Sequence, residues 1–69
     1  MSNKDKVYNA IKQYFYNNGY SPCIRELVRD TGIKSTATIH KYIVVLEAEG
    51  KITRKKNISR TIRLVEKDD

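Results

Sequence analysis

The sequence predicts a mainly helical α+β domain of three helices followed by a two-stranded β-hairpin. Apolar residues recur at helical spacing in three segments, each followed closely by a glycine: about 4–18 before Gly19, 24–31 before Gly32 and 36–49 before Gly50. Residues 51–65 instead alternate between apolar and polar, as a half-buried hairpin does. With 69 residues, the chain is predicted to be a single small domain, 1–69, with a modest core.

The first predicted helix, 4–18, carries an apolar stripe along one side. Its stripe positions follow i, i+4, i+7 and i+11 and are Val7, Ile11, Tyr14 and Asn18. Gly19 can adopt the left-handed conformation that ends many helices. We therefore expect this helix to pack through that stripe.

The second predicted helix, 24–31, starts after a proline. Pro22 disfavours helical angles in the residue before it, and we expect Tyr20 to pack under this helix. Cys23 occupies the N-cap position, and Glu26 three residues later completes a capping box. Because cysteine caps less well than serine, we expect a weak helix start.

The third predicted helix, 36–49, is the candidate reading element. Ser35 is a good N-cap, and the buried stripe is expected at Ile39, Ile43 and Leu46. The opposite side begins with short polar residues and one cation, which suits the donors, acceptors and thymine methyls of a DNA groove. A solvated helix face is the alternative interpretation of this side.

The hairpin after the third helix is interpreted as a wing. A helix, a glycine turn, a second helix and a hairpin together match the winged helix-turn-helix outline. The wing loop concentrates four basic residues, which we expect to contact the DNA backbone or the minor groove: Arg54, Lys55, Lys56 and Arg60. A turn that is basic only for solubility is the alternative.

Positive charge is concentrated in the half of the chain with the predicted reading helix and wing. The net charge is +6, divided as +2 over residues 1–33, +6 over residues 34–63 and −2 over residues 64–69. A one-sided basic surface attracts nucleic acid and supplies salt-dependent affinity. The charge distribution therefore favours an anionic partner.

Several functional classes lack support in the sequence. One cysteine, Cys23, excludes an internal disulfide and a cysteine-rich zinc site, and His40 has no partners at metal-ligand spacing. We find no paired catalytic carboxylates, no nucleophile with a base and no phosphate loop, so we expect neither enzymatic activity nor a cofactor. Without a signal-peptide pattern or a long apolar run, we expect a cytoplasmic, nucleoid-associated protein.

Six blocks of the sequence resemble the N-terminal winged helix-turn-helix domain of the LexA repressor family. These blocks are Gly19–Pro22 (GYSP), Ile24–Leu27 (IREL), Gly32–Ser35 (GIKS), Thr38–Ile43 (TIHKYI), Leu46–Ile52 (LEAEGKI) and Ser59–Leu64 (SRTIRL). The resemblance implies sequence-specific binding to double-stranded DNA and repression of transcription, in that family as part of the SOS response. His40-Lys41, Thr61 and Cys23 depart from the family pattern, and Thr61 stands where glycine is common.

The resemblance also implies which residues meet DNA. Base contacts map to the start of the third helix, at Ser35, Ala37, Thr38, His40 and Lys41, and wing contacts map near Asn57, Ser59 and Arg60. Together with Thr36 beside the helix start and with Arg54, Lys55 and Lys56 from the charge pattern, these residues form the predicted DNA-binding set.

LexA repressors also carry a second, self-cleaving domain, and we expect these 69 residues to be either an excised or a free-standing DNA-binding domain. We expect a monomer or a weak homodimer on an inverted-repeat operator. The rival hypothesis is a winged-helix module that binds protein or double-stranded RNA.

Overall fold

A computed structural model describes residues 2–55, 58 and 60–65. Three helices precede one antiparallel hairpin: α1 (Asn3–Asn18), α2 (Ile24–Thr31), α3 (Thr36–Ala48), β1 (Ile52–Thr53) and β2 (Arg63–Leu64). The predicted fold class is confirmed. α2 has the predicted bounds, α1 begins one residue earlier than predicted, and α3 ends one residue earlier.

The helix ends follow local sequence rules. The Ser35 hydroxyl accepts a hydrogen bond from the backbone N–H of Thr38 at 3.2 Å, so the predicted N-cap of α3 is confirmed. Ser2 caps α1 in the same way, through the N–H of Asp5. Gly19, with φ of 77°, closes α1 in the predicted left-handed conformation.

The core lies where the three helices and the hairpin meet. Its fully or nearly fully buried apolar side chains are Val7, Ile11, Leu27, Ile39, Ile43, Leu46, Ile52 and Ile62. The predicted stripe of α3 is therefore confirmed. Burying such a side chain contributes about 1.5–3 kcal/mol relative to leaving it exposed, before entropy costs.

Two side chains lie elsewhere than the sequence predicts. Asn18 was assigned to the buried stripe of α1, but it is exposed, and its amide Nδ2 donates to the backbone carbonyl of Tyr14 at 3.0 Å. A polar amide at the last helical residue satisfies a carbonyl instead of filling the core. Tyr20 is half-exposed instead of lying under α2, because its ring packs edge-on against Tyr14.

The hairpin follows α3 with almost no intervening chain. Lys51 donates its backbone N–H to Leu46, and the register then pairs Ile52 with Leu64. Val65 donates its N–H to the carbonyl of Lys51 at 3.0 Å, which brings the returning strand back to the end of α3. The wing therefore projects from that end of α3, on two strands of two residues each.

The loop of the hairpin is organised by the hydroxyl of Thr61. Thr61 Oγ1 accepts from the N–H of Lys55 at 3.0 Å and donates to the carbonyl of Ile58 at 2.9 Å. Glycine, common at this position in the family that the sequence resembles, has no hydroxyl to make these bonds. Glycine would leave the backbone at this position freer, whereas Thr61 closes the loop through its hydrogen bonds to Lys55 and Ile58.

Among the described residues, no helix is long and apolar enough to cross a membrane.

Candidate nucleic-acid interface

The first two turns of α3 present a largely exposed surface. Ser35, Thr36, Ala37, His40 and Lys41 are all exposed, and Thr38 is half-buried. Ile39, in the same turns, is fully buried and anchors the helix to the core. The structure thus brings the predicted helix residues together on one accessible stretch.

The N-terminus of α3 is electrostatically suited to an anion. Its first turn, which the structure describes in full, contains no acidic side chain, and exposed Lys34 immediately precedes the Ser35 cap. Backbone N–H groups at a helix start have no helical acceptor, and the helix dipole makes this end positive. Such an end is a good position for a phosphate oxygen or a base acceptor.

The two side chains on this face that are best suited to distinguish bases by hydrogen bonding are His40 and Lys41. Lys41 Nζ lies 5.9 Å from the centroid of the Tyr42 ring, so the ammonium is near the helix surface and still exposed. His40 borders an open cleft of about 220 Å³ between the start of α2, α3 and the wing. Both head groups remain accessible to a ligand that lies along α3.

The basic side chains of the wing loop that the structure describes differ in their accessibility. Lys55 is exposed, as expected, whereas Lys56, Asn57 and Ser59 lie outside the described residues. Arg54 is turned inward: its side chain is 14% exposed, and its Nε lies 3.5 Å from Glu47 Oε1 on α3. Among the described loop residues, the predicted cluster of free cations therefore contains Lys55, together with Arg60 only in so far as its side chain is partly exposed.

Arg60 also points back to the protein. Its Nη1 donates to Glu26 Oε1 at 2.9 Å and to the Ser21 carbonyl at 3.2 Å, while Nη2 donates to Glu26 Oε2 at 3.1 Å. The guanidinium also lies 5.4 Å from the centroid of the Tyr20 ring. The sequence predicts a phosphate contact at Arg60, but the structure shows the charge already paired with a carboxylate.

Glu26 is the functional neighbour that sequence reasoning missed. It was interpreted as a capping residue, and that role is confirmed, because Glu26 Oε1 accepts from the N–H of Cys23 at 3.0 Å. The same carboxylate also binds Arg60 and accepts from the Tyr14 hydroxyl at 2.7 Å. No local signal links Glu26 to Arg60, which lies 34 positions further along the chain.

These contacts shift the pKa values of all three side chains. Hydrogen bonds from Arg60, Tyr14 and the Cys23 backbone lower the pKa of Glu26 to about 2. Interaction with Tyr20 and then with Glu26 raises the pKa of Tyr14 to about 12. Hydrogen bonding to Glu26, and secondarily to Tyr14, raises the pKa of Arg60. The group therefore keeps one anion and one cation throughout the neutral range.

Comparison with known proteins connects this geometry to a family. A family model described as the LexA DNA binding domain matches residues 2–61. The chain belongs to the LexA DNA-binding domain family. Membership makes it a DNA-binding domain of the kind found in transcriptional repressors, and the predicted resemblance is confirmed.

Individual LexA repressors support the same assignment. The chain is 42% identical over 64 residues to a LexA repressor of Clostridium kluyveri, covering 93% of this chain and 32% of the relative. It is 40% identical over 62 residues to a LexA repressor of Herpetosiphon aurantiacus, covering 90% and 29%. For a LexA repressor of Petrotoga mobilis the identity is 38% over 64 residues, covering 93% and 31%. The chain thus spans about a third of the length of these relatives.

Proposed function

We propose that this LexA-type domain reads a specific sequence of double-stranded DNA and thereby represses transcription. The first two turns of α3 enter the major groove, with His40 and Lys41 directed at base edges. The Ser35 end of the helix approaches a phosphate. A lysine can donate to guanine O6 and N7, and a histidine can act as donor or acceptor, so both residues can discriminate bases.

The observation that carries this proposal is the exposed, carboxylate-free start of α3. The helix is fixed to the core by buried Ile39 and Ile43, whereas its outer residues are accessible. A reading helix needs this combination, because base contacts discriminate only when the backbone that presents them is rigid. The net charge of +6 supplies the sequence-independent part of the affinity.

The wing contributes backbone contacts in this proposal. Exposed Lys55 is the described cation of the wing loop best placed to meet phosphate, because Arg54 pairs with Glu47 and Arg60 with Glu26. A phosphate contact adds affinity on every sequence and adds no base preference. The division of labour is therefore specificity from α3 and salt-dependent affinity from the wing.

We further infer that two copies bind an inverted-repeat operator, as a weak homodimer that forms on DNA. Two-fold symmetric binding matches two half-sites and doubles the readable sequence. The place of action is the bacterial cytoplasm, since the DNA to be bound lies there.

Selection from random duplex DNA tests this proposal. The enriched sequence is then titrated against a scrambled duplex of equal length at two salt concentrations. We expect an enriched inverted repeat that binds well above the scrambled duplex at both salt concentrations, with affinity on both duplexes falling as salt rises.

A double-stranded RNA of matched length and a scrambled duplex serve as the controls. Absence of enrichment, with weak binding that disappears as salt rises, would contradict sequence-specific recognition. Tighter binding to the RNA would favour the rival RNA-binding module.

A further inference from the structure

We propose that Arg60 is a positioning residue: together with Glu26, Tyr14 and Ser21 it fixes the wing against the start of α2, and it does not itself contact DNA phosphate. We call these four residues the Glu26 clamp. The inference rests on the proposed DNA-binding function and assigns to the clamp the orientation of the wing on DNA.

The carboxylate at the centre of the clamp is fully engaged. Glu26 Oε1 accepts from Arg60 Nη1 and from the Cys23 N–H, and Oε2 accepts from Arg60 Nη2 and from the Tyr14 hydroxyl. Two parallel bonds between a guanidinium and a carboxylate are a strong and directional pair. The Glu26 side chain is 19% exposed, so water competes little for its oxygens.

A second contact ties the same part of the hairpin to the same connector. The backbone N–H of Ile62 donates to Ser21 Oγ at 3.1 Å, and Ser21 itself is buried. The Ser21 carbonyl accepts from Arg60 Nη1. Two wing residues, Arg60 and Ile62, therefore bind the chain between α1 and α2.

The wing needs such a tether, because its own ladder is short. β1 and β2 pair through Ile52 with Leu64 and through Thr53 with Arg63. An isolated two-stranded hairpin is at best marginally stable in water. β1 is joined to α3 through Lys51, so the position of the loop relative to the reading helix depends on how the β2 side is held.

Backbone conformation supports the same role. Arg60 has φ of 59°, in the left-handed region that residues other than glycine rarely adopt. In this structure Arg60 adopts this conformation while its guanidinium pairs with Glu26.

The test measures operator and scrambled-DNA affinity over a salt series for Glu26→Gln, Arg60→Gln and Arg60→Lys. Glu49→Gln is the control for Glu26→Gln, since it also removes one carboxylate, which pairs with Lys4 and Lys51 at the carboxyl end of α3. Arg29→Gln is the control for Arg60→Gln, since Arg29 pairs with Asp30 on α2. The wild-type preference for the operator tests the proposed function independently of every variant.

The clamp predicts that all three variants lose operator affinity by a similar, several-fold factor, with an unchanged slope of log affinity against log salt. Glu26→Gln is decisive because it raises the net charge by one, which on electrostatics alone favours DNA binding. Lysine lacks the fork that grips both carboxylate oxygens, so Arg60→Lys fails to rescue. The double variant, Glu26→Gln with Arg60→Gln, is expected to lose no more operator affinity than either single variant does.

A phosphate contact at Arg60 predicts the opposite pattern and would overturn the proposal. Arg60→Gln would then flatten the salt slope by about 0.9, Arg60→Lys would bind almost as the wild type does, and Glu26→Gln would bind equally or more tightly.

Amide hydrogen exchange of Ile62 separates loss of the clamp from loss of the fold and needs no DNA. Glu26→Gln is expected to speed exchange at Ile62 while leaving Ile43, in the core of α3, protected. Tyr14→Phe, which keeps the Arg60–Glu26 pair, provides a milder variant for the case that Glu26→Gln unfolds. Unchanged exchange at Ile62 in both variants would refute the clamp.

Discussion

The start of α3 and the wing both carry polar and basic residues that are predicted to meet DNA, yet their side chains point in opposite directions. His40 and Lys41 are exposed at the helix surface. Arg54 and Arg60, in contrast, bind Glu47 and Glu26 of their own chain. The comparison shows that a cluster of cations along the sequence does not by itself give a cluster of free cations in space.

The physical reason lies in the carboxylates within reach. Glu47 and Glu26 lie on the helices that face the hairpin. Arg60 pairs with Glu26 through two hydrogen bonds, whereas Arg54 approaches Glu47 through its Nε alone, at 3.5 Å. The first turn of α3 contains no acidic residue. Exposed Lys34 and Lys41, on either side of this turn, therefore meet no carboxylate from the turn itself and are accessible to a ligand.

The largest expected effect comes from shortening the reading side chains. His40→Ala and Lys41→Ala should each cost about 1–3 kcal/mol of binding free energy on the selected operator, because each removes a base contact. Titration of the operator, its single-base variants and a scrambled duplex measures this. Lys12→Ala on α1 removes an exposed lysine and serves as the control. Equal losses on all duplexes would place both side chains on phosphate instead.

An added negative charge at the cap of α3 tests whether this end of the helix lies close to DNA phosphate. Ser35→Asp keeps a good N-cap, so thermal unfolding should remain close to the wild type, while Ser35→Ala should cost about 1 kcal/mol of stability. On DNA, Ser35→Asp should lose about 1 kcal/mol through repulsion of a nearby phosphate. Ser2→Asp makes the same change at the cap of α1. If both aspartate variants lose affinity equally, the start of α3 is not at the interface.

Removing the exposed wing cation should have a smaller and less selective effect. Lys55→Gln is expected to reduce the slope of log affinity against log salt by about 0.9 and to weaken operator and scrambled DNA alike. Titrations at a series of salt concentrations measure it. A slope as steep as that of the wild type would remove Lys55 from the phosphate contacts and leave α3 as the main described binding surface.

The smallest expected effect concerns pH. A carboxyl whose folded pKa is lowered stabilises the fold above its ordinary value of 4.5, and this contribution is lost as pH falls towards about 2. For Tyr14, with a pKa raised to about 12, the contribution is complete below its ordinary value of 10.0 and is lost as pH rises from there towards about 12. The difference in unfolding free energy between wild type and Glu26→Gln should therefore stay constant from pH 4.5 to 10.0.

Denaturant titrations across that range and below it measure the difference. Below pH 4.5 the two proteins should converge, because the wild type loses an advantage that the variant never has. The extrapolation error of such titrations is roughly 10–15%. If the difference in unfolding free energy changes by more than this between pH 6 and pH 8, Glu26 is not held ionised by the clamp.

Local signals in the sequence predict most of the fold. The Ser35 cap, Gly19 and the spacing of Ile39, Ile43 and Leu46 each act over one or two helical turns, and all three features are confirmed. Asn18 shows the limit, since its position fits the apolar stripe while its amide prefers a backbone carbonyl. A periodic pattern predicts which face of a helix a residue occupies. It does not show whether the side chain will instead bind a backbone carbonyl that has no helical partner.

The arrangement of the candidate site is less predictable. The exposed side of α3 follows from its buried stripe, because the two faces are fixed together by helical geometry. The partners of Arg60 come from α1, α2 and the connector between them, and a contact over 34 positions leaves no trace in spacing or charge counts. The sequence therefore shows which residues are basic but not which of them are paired with a carboxylate in the fold.

The hydrogen bond from Val65 to Lys51 has a practical consequence for handling the protein. It places the last described residue beside the end of α3, whereas Ser35 marks the opposite end of a helix of 13 residues. At 1.5 Å per residue the two ends are about 20 Å apart. A fluorophore attached at Val65 is thus placed away from the DNA-facing turn, and labelling at that position is suited to measuring DNA capture.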